Sequence, residues 1–297
     1  MAKKKSGGDQ FDLFYAQFYK ERWPQLRESL VGPKSHVILK NPYHPLVLEN
    51  VTSFHGHPNL FVGKEELPQP QGEDLFPYYF LDGASAYAPL ALDISPGDKV
   101  LDLCAAPGGK SLIMAFALAG KGHLSANDKS ENRRFRLQKV LRSYLPPEVY
   151  KETIRITGFD ASSWCLFEKE AYDKILLDAP CSSERHVLDS PTHLLDWRPG
   201  RTKRLAANQW TMLASAWLVL RYGGRLVYST CSLSPLENDG VVSKLVKKFG
   251  KEVVISRPEI PGGEATEWGT ILLPDKSGHG PFYLSIMEKV NSSDDKS

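Results

Sequence analysis

Apolar and polar positions alternate in blocks along the middle of the chain, with two different periods. Apolar runs of about four to eight residues predict buried strands, and longer segments with apolar residues three or four apart predict helices. The predicted strands are Val100–Leu103, His123–Asn127, Thr153–Thr157, Lys174–Leu177 and Arg225–Ser229. The predicted helices lie between them, at Lys110–Leu118, Asn132–Tyr144 and Thr202–Leu220. This alternation predicts an α/β fold with a doubly wound, mostly parallel sheet.

The two ends of this region follow other patterns. Phe11–Leu30 places apolar side chains at helical spacing, with an aromatic stripe, and predicts an amphipathic helix. Lys64–Pro77 is rich in proline and charge and predicts a linker. Tyr78–Leu92 again has helical spacing and predicts another helix. After Gly250, short apolar runs predict an antiparallel edge that closes the sheet.

These patterns divide the chain into three predicted regions. We expect residues 1–77 to form a small N-terminal helical domain that ends in the linker. We expect residues 78–290 to form the α/β domain. The polar residues 291–297 predict a disordered tail.

Composition adds limits to this picture. The 297 residues carry a formal net charge of +2, and the isoelectric point is 8.2, below the value of about 9 that marks a nucleic-acid-binding domain by charge alone. No run approaches the roughly 20 apolar residues of a membrane span, so we expect no membrane contact. The four cysteines lack Cys-x-x-Cys spacing, so we expect no metal site.

The same features bear on the compartment. Few cysteines and no secretory signal predict a reducing compartment, and hence a cytoplasmic protein. Processing from an imported precursor would make it mitochondrial instead.

The clearest local motif is a glycine-rich turn between a strand and a helix, in Lys99–Lys110. The apolar run breaks at Ala105–Gly109, and a helix follows. Glycines at such a turn let backbone N–H groups approach an anionic ligand at the helix N-terminus. The motif is neither G-x-G-x-x-G nor a P-loop. By itself it is equally compatible with an ordinary tight turn.

Polar residues also follow the other predicted strands, where doubly wound sheets bind ligands. Asp128 lies about 20 residues after the glycine turn, where an acidic side chain meets ribose hydroxyls in nucleotide-binding folds; a helix N-cap is the alternative. Asp160 is either a cap or an acceptor for an adenine amino group. Asp178, Cys181 and Cys231 lie in small, polar, turn-forming sequences. That setting favours a cleft over the buried position usual for lone cysteines.

Three motifs, taken in order, resemble one enzyme family. They are Leu101–Ser111 (LDLCAAPGGKS), Asp178–Ser183 (DAPCSS) and Tyr228–Ser232 (YSTCS). They resemble the Sun-domain (Fmu/RsmB-type) RNA cytosine-C5 methyltransferases, as do Phe80–Ser85 and Gly280–Tyr283. The N-terminal region is similar to that of compact members, including mitochondrial ones, without a separate RNA-binding domain. The resemblance implies a class I methyltransferase fold, a Rossmann-like α/β sheet.

The resemblance implies S-adenosylmethionine as cofactor. The turn would hold its methionine end, Asp128 its ribose and Asp160 would face its adenine; Arg133 is a further candidate. The turn residues in this role are Ala106, Pro107, Gly108, Gly109 and Lys110. Asp178 is also expected to border the cofactor.

It further implies that Cys231 is the nucleophile and that Cys181 assists product release. Cytosine C5 is too electron-poor to attack a methyl sulfonium until a thiolate has added to C6. Asp178 would bond to N3 and the 4-amino edge of the base. In an alternative interpretation Cys181 is the nucleophile, because DNA cytosine-C5 methyltransferases use a Pro-Cys motif. A second alternative is a non-catalytic ribosome-assembly scaffold that binds S-adenosylmethionine.

The implied substrate is RNA, either rRNA or tRNA. A base inside a duplex hides C6, so the target cytosine must be single-stranded or flipped out. We expect the N-terminal region to contact RNA or to pack on the main domain, and we expect a monomer, with a protein helper for targeting as an option. A basic segment with interleaved aromatic residues is predicted to contact RNA phosphates: Arg185, His186, Trp197, Arg198, Arg201, Lys203 and Arg204.

Overall fold

The computed structural model describes residues 6–32, 36–63 and 75–291. Its helices are α1 (Gly7–Tyr19), α2 (Trp23–Leu30), α3 (Gly83–Ala91), α4 (Gly109–Leu118), α5 (Glu131–Tyr144), α6 (Pro147–Thr153), α7 (Glu184–Leu188), α8 (Pro191–Leu195), α9 (Pro199–Val219), α10 (Asp239–Phe249) and α11 (Pro274–Ser277). Its strands are β1 (His36–Lys40), β2 (Val51–Ser53), β3 (Leu60–Gly63), β4 (Tyr78–Asp82), β5 (Lys99–Asp102), β6 (His123–Asn127), β7 (Ile154–Thr157), β8 (Tyr172–Asp178), β9 (Leu220–Thr230), β10 (Val253–Ser256), β11 (Gly263–Ala265), β12 (Thr270–Leu272) and β13 (Phe282–Lys289). Short 3-10 helices lie at Lys20–Arg22, Ala161–Leu166 and Gly250–Glu252.

A nine-stranded sheet forms the centre of the molecule, in the order β11-β12-β13-β9-β8-β5-β6-β7, with β10 paired to β13. The strands β7, β6, β5, β8 and β9 are parallel, and they are the five strands that the apolar runs predict. The C-terminal strands extend the sheet in antiparallel fashion from β9 outward. The doubly wound sheet with an antiparallel closing edge is confirmed.

Both faces of this sheet are buried, because apolar side chains alternate to either side of the central strands. On one face, Tyr172 and Ile175 of β8 belong to the same core as Leu213 and Trp217 of α9. On the other face, β5 and β6 share a second core with α3, α4 and α5. A parallel sheet buried on both sides in this way orients the carboxyl ends of its strands toward one edge.

The N-terminal helices pack on the first of these cores. The rings of Phe11 and Trp197 lie 5.2 Å apart, and those of Tyr15 and Trp23 also lie 5.2 Å apart. The single helix predicted over Phe11–Leu30 is broken at Lys20–Arg22. Pro24 has no N–H for the preceding turn, so the chain stops α1 and starts α2.

A second, four-stranded antiparallel sheet, β2-β3-β1-β4, follows these helices. The helix predicted over Tyr78–Leu92 is wrong for its first five residues, which form β4 and pair with β1. That pairing runs across the predicted boundary at residue 77. The three-region division itself stays a prediction. Residues 64–74 of the predicted linker and residues 292–297 of the predicted tail lie outside the described residues.

Candidate active site

The carboxyl ends of β8 and β9 bring together the two cysteines singled out in the sequence. Cys181 Sγ lies 3.0 Å from Cys231 Sγ. Ser183 Oγ lies 3.1 Å from Cys231 Sγ and 3.6 Å from Cys181 Sγ. Cys231 is exposed, whereas Cys181 is half-buried. The two sulfur atoms therefore form one site, with Cys231 toward solvent.

The hydrogen bond between the sulfur atoms makes the two thiols unequal. It lowers the pKa of Cys231, with help from Ser183, against the opposing effect of burial. The same hydrogen bond, followed by burial, raises the pKa of Cys181. Either sulfur could donate in this contact; the directions of the two pKa shifts correspond to a Cys181 thiol that donates to a Cys231 thiolate. A thiolate is the reactive form of cysteine, so the geometry favours Cys231 as the nucleophile.

Asp178 and Lys110 form an ion pair beside the thiols. Lys110 Nζ lies 2.8 Å from Asp178 Oδ2, and Ser229 Oγ donates to Asp178 Oδ1 at 2.8 Å. Burial lowers the pKa of Lys110, but the charge and hydrogen bond of Asp178 raise it above its usual value. Lys110 therefore stays charged and holds the carboxylate in place, at the end of β8.

Asp102 is a further acid of this edge that the sequence analysis missed. It ends β5, is 1% exposed and accepts a hydrogen bond from Ser111 Oγ at 2.7 Å. Burial raises its pKa to about 7. Its signal in the sequence was an aspartate inside an apolar run.

A cavity of about 280 Å³ opens at the ends of β5, β6 and β7. Asp128 Oδ1 accepts the backbone N–H of Ser130 at 3.0 Å, but Ser130 itself is the N-cap of α5, so the N-cap alternative for Asp128 is wrong. Asp128 Oδ2 is buried without a hydrogen-bond partner, although Arg133 Nη1 lies 3.3 Å away. Arg133 Nη2 also donates to the carbonyl of Ala106 at 2.7 Å. An orphaned carboxylate oxygen facing a cavity suits a hydroxyl-bearing ligand such as ribose.

Asp160 lines the same cavity and also caps a helix. Its side chain accepts from Ser162 N at 3.0 Å, at the start of the 3-10 helix, and pairs with Lys129 Nζ at 2.6 Å. The hydrogen bond from Lys129, followed by those from Ser162, lowers the pKa of Asp160 to about 2. Both alternatives for Asp160 thus stay compatible with its position.

The glycine turn needs its glycines for conformation and space. Gly108 has φ +124°, and a Cβ there would lie 3.0 Å from Val140 Cγ1. A Cβ on Gly109 would lie 2.7 Å from the ring of Tyr79. The turn therefore brings backbone N–H groups to the start of α4 with no side chain in front of them.

A second cavity, of about 220 Å³, has Cys231 and Ser183 in its wall. Its other lining residues are Asp82, Ser85, Arg185, His186, Asp189 and Gly280–Phe282. Pro180 lines the first cavity and Ser183 the second, so the loop that carries Cys181 contributes to both. Of the two thiols, Cys231 is the one that lines a cavity.

The structure exposes some residues of the basic segment and buries others. Arg198, Lys203 and Arg204 are exposed, in accord with the predicted RNA contact. Trp197 is 2% exposed within the core, so its predicted RNA contact is wrong. Arg185 donates to the carbonyls of Gly32 at 3.0 Å and Gly280 at 3.2 Å, and so also holds the wall of the second cavity.

Comparison with known proteins identifies the family. The model of the family "16S rRNA methyltransferase RsmB/F" matches residues 89–288. The chain belongs to this family. As an RsmB/F-type protein it is an S-adenosylmethionine-dependent RNA methyltransferase, and the predicted family, fold, activity class and cofactor are confirmed.

Named relatives are similar over much of the RsmB/F-type chain. The 5-cytosine rRNA methyltransferase NSUN4 of Bos taurus is 34% identical, over 82% of this chain and 75% of the relative. The mitochondrial tRNA (cytosine(34)-C(5))-methyltransferase of Danio rerio is 32% identical, over 94% of this chain and 86% of the relative. The match to NSUN4 of Mus musculus is 42% identical but spans only 47% of that protein.

Solved structures support the fold. A methyltransferase homologue from Pyrococcus horikoshii superposes with a TM-score of 0.76 at 24% identity, covering 94% of this chain and 95% of the other. NSun6 from the same organism, determined with SFG, gives a TM-score of 0.73 at 19% identity, with 95% and 98% covered. Among the described residues, we find no helix with the length and apolar character to cross a membrane.

Proposed function

We propose that this chain methylates C5 of cytosine in RNA through a covalent adduct between Cys231 Sγ and C6 of the base. The activity class is that of an RNA (cytosine-5-)-methyltransferase. The observation that carries the covalent route is the pair of sulfur atoms 3.0 Å apart, with Cys231 in the wall of a cavity and the Asp178–Lys110 ion pair at the same edge of the sheet.

The two cavities have different proposed occupants. The cavity lined by Asp128 and Asp160 takes S-adenosylmethionine, which supplies the methyl group when bound. The unpaired Asp128 Oδ2 accepts from a ribose hydroxyl, and Asp160 faces the adenine. Backbone groups of Ala106, Pro107, Gly108 and Gly109 border the methionine end, with Lys110, Arg133 and Asp178 at its margins. The cavity with Cys231 in its wall takes the extruded base.

The covalent step begins at Cys231. Its thiolate forms a bond to C6, and the ring electrons move so that C5 becomes the nucleophile that takes the methyl group. Asp178 accepts from the 4-amino group and shares a proton with N3, and that proton stabilises the negative charge that develops on the ring. Lys110 neutralises Asp178 between turnovers, because their ion pair is 2.8 Å long.

Cys181 has its proposed role in the second half of the reaction. The proton on C5 leaves to a base, the C6–S bond breaks, and its electron pair returns to Cys231. Cys181 Sγ lies 3.0 Å from that sulfur, where a proton on Cys181 would stabilise the thiolate as it leaves. This supports Cys231, rather than Cys181, as the nucleophile.

Trapping the adduct tests this assignment. Full-length Cys181→Ala, Cys231→Ala and the unsubstituted chain are incubated with total cellular RNA and S-adenosylmethionine, then run on a denaturing gel. We expect Cys181→Ala to retain RNA covalently and Cys231→Ala to retain none. The reverse pattern would establish Cys181 as the nucleophile. Bound S-adenosylmethionine with no methyl transfer to any RNA would favour the scaffold alternative.

The finer identity of the substrate is part of the proposal. The named relatives act on rRNA or on tRNA, and both stay candidates. We propose that the protein is a monomer and that it acts with or without a targeting partner. We also propose a mitochondrial location, because the tRNA-modifying relatives of Danio rerio and Mus musculus are named as mitochondrial. Bisulfite sequencing of RNA from cells with and without the gene identifies the lost 5-methylcytosine. If no 5-methylcytosine site is lost when the gene is removed, the proposed activity is overturned.

A further inference from the structure

Two buried glutamates lie beneath the thiol pair. Glu184 begins α7 and Glu237 lies in the turn before α10, and both are 0% exposed. The sequence analysis singled out neither. Their hydrogen bonds in the described part of the chain come from hydroxyls, a side-chain amide and backbone N–H groups rather than from lysine or arginine. Two buried carboxyl groups held in this way need an explanation, because burial of unpaired charge is costly.

Serine hydroxyls join the glutamates to the residues that follow each thiol. Ser182, directly after Cys181, donates to Glu184 Oε1. Ser232, directly after Cys231, lies 3.2 Å from Glu184 Oε1 and 3.2 Å from Glu237 Oε1. The two serine oxygens are 2.9 Å apart. The loops that carry the two sulfur atoms are thus connected through both carboxyl groups.

Backbone bonds cross between the same loops. Glu184 Oε2 accepts the N–H of Leu233 at 2.8 Å, in the loop after Cys231. Glu237 Oε2 accepts the N–H of Ser182 at 3.0 Å, in the loop after Cys181. Gln209 Nε2 donates to Glu237 Oε2 at 2.8 Å and to the carbonyl of Pro180 at 2.9 Å. Each glutamate therefore fixes the loop of the opposite cysteine.

The network has more contacts than its hydroxyls have protons. Four oxygen–oxygen contacts involve Ser182 or Ser232 and lead to Glu184, to Glu237 or between the serines. Each hydroxyl donates one proton, so two protons serve four contacts. A proton on one carboxyl group adds a donor and removes one of two adjacent buried negative charges. Burial, followed by the charge of Glu184, raises the pKa of Glu237 to about 7.

We propose that Glu184 and Glu237 are positioning residues that share one proton, hold the two thiol loops together, and set how readily Cys231 reacts. The part of this role that concerns methyl transfer rests on the proposed function, whereas the reactivity of Cys231 does not. Glu184 is the acceptor of the pair, because one of its oxygens accepts from Tyr15 and the other from Leu233 N. Glu237 is the member that gains and loses the proton.

The charge of the pair acts on the thiols. The charge of Glu184 raises the pKa of Cys231, although the hydrogen bond from Cys181 and the burial of the thiol have larger effects. Both glutamates raise the pKa of Cys181. Loss of the shared proton therefore opposes formation of the Cys231 thiolate. The groups that face Glu237 from the surrounding elements are Glu184, Tyr15, Tyr228, Gln209, Ser182, Ser232 and Cys181.

The substitution Glu237→Gln tests the charge. Its amide oxygen can accept from Ser182 N and Gln209, and its NH₂ can donate to Ser232, as the protonated acid does. Alkylation of Cys231 by iodoacetamide is measured by peptide mass spectrometry from pH 6 to 10. We expect the midpoint of the alkylation rate to fall by about half a pH unit or more. Glu131→Gln, which removes an exposed charge on α5, should leave the midpoint unchanged.

The matching substitution Glu184→Gln tests the assignment of the two roles. It places an NH₂ donor among groups that already donate, or removes the acceptor for Leu233, and so loosens the thiol loops. It also removes a charge that raises the pKa of Cys231. We therefore expect the midpoint of alkylation to fall, together with a loss of unfolding temperature that Glu237→Gln does not show. An unshifted midpoint in Glu237→Gln, with unfolding temperature retained, overturns the proposal. So does an equal loss of unfolding temperature in the two variants.

The unsubstituted chain provides a measurement that does not depend on the folding of a variant. In protein labelled with ¹³C at glutamate Cδ, we expect one carboxyl group to titrate near pH 7, and its signal should vanish in Glu237→Gln. Titration of every glutamate below about pH 5.5 overturns the proposal. These measurements use neither RNA nor cofactor, so they are independent of whether the proposed methylation is found.

Discussion

The Sγ atoms of Cys181 and Cys231 lie 3.0 Å apart although the residues are 50 positions apart in the chain. Adjacent parallel strands make this possible, because β8 and β9 end at the same edge with Asp178 opposite Ser229. Each thiol follows its strand by a few residues, in a loop of small side chains. The pair is thus a product of the sheet register as much as of the motifs.

Asp178→Asn is expected to abolish most turnover. The amide keeps the shape and accepts from Ser229, but it cannot carry the negative charge that faces Lys110 at 2.8 Å. We expect the turnover rate to fall by about 10²–10⁴-fold, measured as methyl transfer from labelled S-adenosylmethionine at saturating RNA. Ser229→Ala removes only one neutral hydrogen bond and should cost about tenfold or less. Equal losses in the two variants would contradict the proposed role.

Asp128→Asn is expected to weaken cofactor binding. Its Oδ1 can still accept from Ser130 N, so the turn before α5 is retained, while the orphaned Oδ2 becomes an NH₂ group that cannot accept. We expect affinity for S-adenosylhomocysteine to fall about 10–100-fold by calorimetry. Asp160→Asn is the comparison, because both oxygens of its carboxylate already accept, one from Lys129 and the other from Ser162. A larger loss at residue 160 than at residue 128 would reverse the two assignments.

Arg22→Ala is expected to destabilise the fold. Arg22 pairs with Glu264 at 2.7 Å and with Asp275 at 2.6 Å, and the Asp275 side chain is only 3% exposed. Removing the guanidinium leaves that carboxylate buried without its cation, at a cost of about 1–3 kcal/mol in the free energy of unfolding. Arg27→Ala is the control, because Arg27 and its partner Asp12 have side chains that are 37% and 41% exposed. Loss of this ion pair should lower the free energy of unfolding by about 0.5 kcal/mol. Urea titration measures both, and equal effects would refute this role of the buried pair.

Asp102 makes stability depend on pH with a definite sign. Burial raises its pKa to about 7 in the folded chain, from 3.8 in the reference state. Between these values the folded chain binds more protons than the unfolded chain, so stability falls as pH rises through this range. Glu237, whose pKa is raised to about 7, contributes with the same sign. Asp102→Asn should flatten the fall in the free energy of unfolding between pH 5 and 8, and an unchanged slope would exclude Asp102 as a source.

Sequence patterns were most informative where the sheet is buried. The five parallel strands are predicted because both of their faces are apolar and the runs between helices are long. The strands β2 and β3 were missed because they are short and largely exposed. The strand β1 is longer than β5 and has a buried apolar centre, so its sequence carried a signal that was not used. The break between α1 and α2 depends on one proline within an otherwise regular apolar pattern.

The residues of the site also fall into a group that the sequence predicted and a group that it did not. Cys181, Cys231, Asp178 and Lys110 were predicted because they follow strands in recognisable motifs. Glu184 and Glu237 could not be, since a glutamate in a polar loop has the sequence pattern of a surface residue. Their burial depends on Tyr15 and Gln209, which come from distant helices. Trp197 shows the opposite error, because α1 covers an aromatic side chain that looked available to RNA.

Arg185 joins segments from nearly the whole length of the chain around the cavity proposed for the base. Its guanidinium spans the carbonyls of Gly32 and Gly280, which belong to the first and last parts of the described structure. Contacts between such distant positions form late in folding, after many shorter loops have closed. During synthesis the glycine turn and its helix can therefore assemble while the base cavity still lacks a wall. A nascent or truncated chain would then acquire its methyl-donor half before it acquires any capacity to modify RNA.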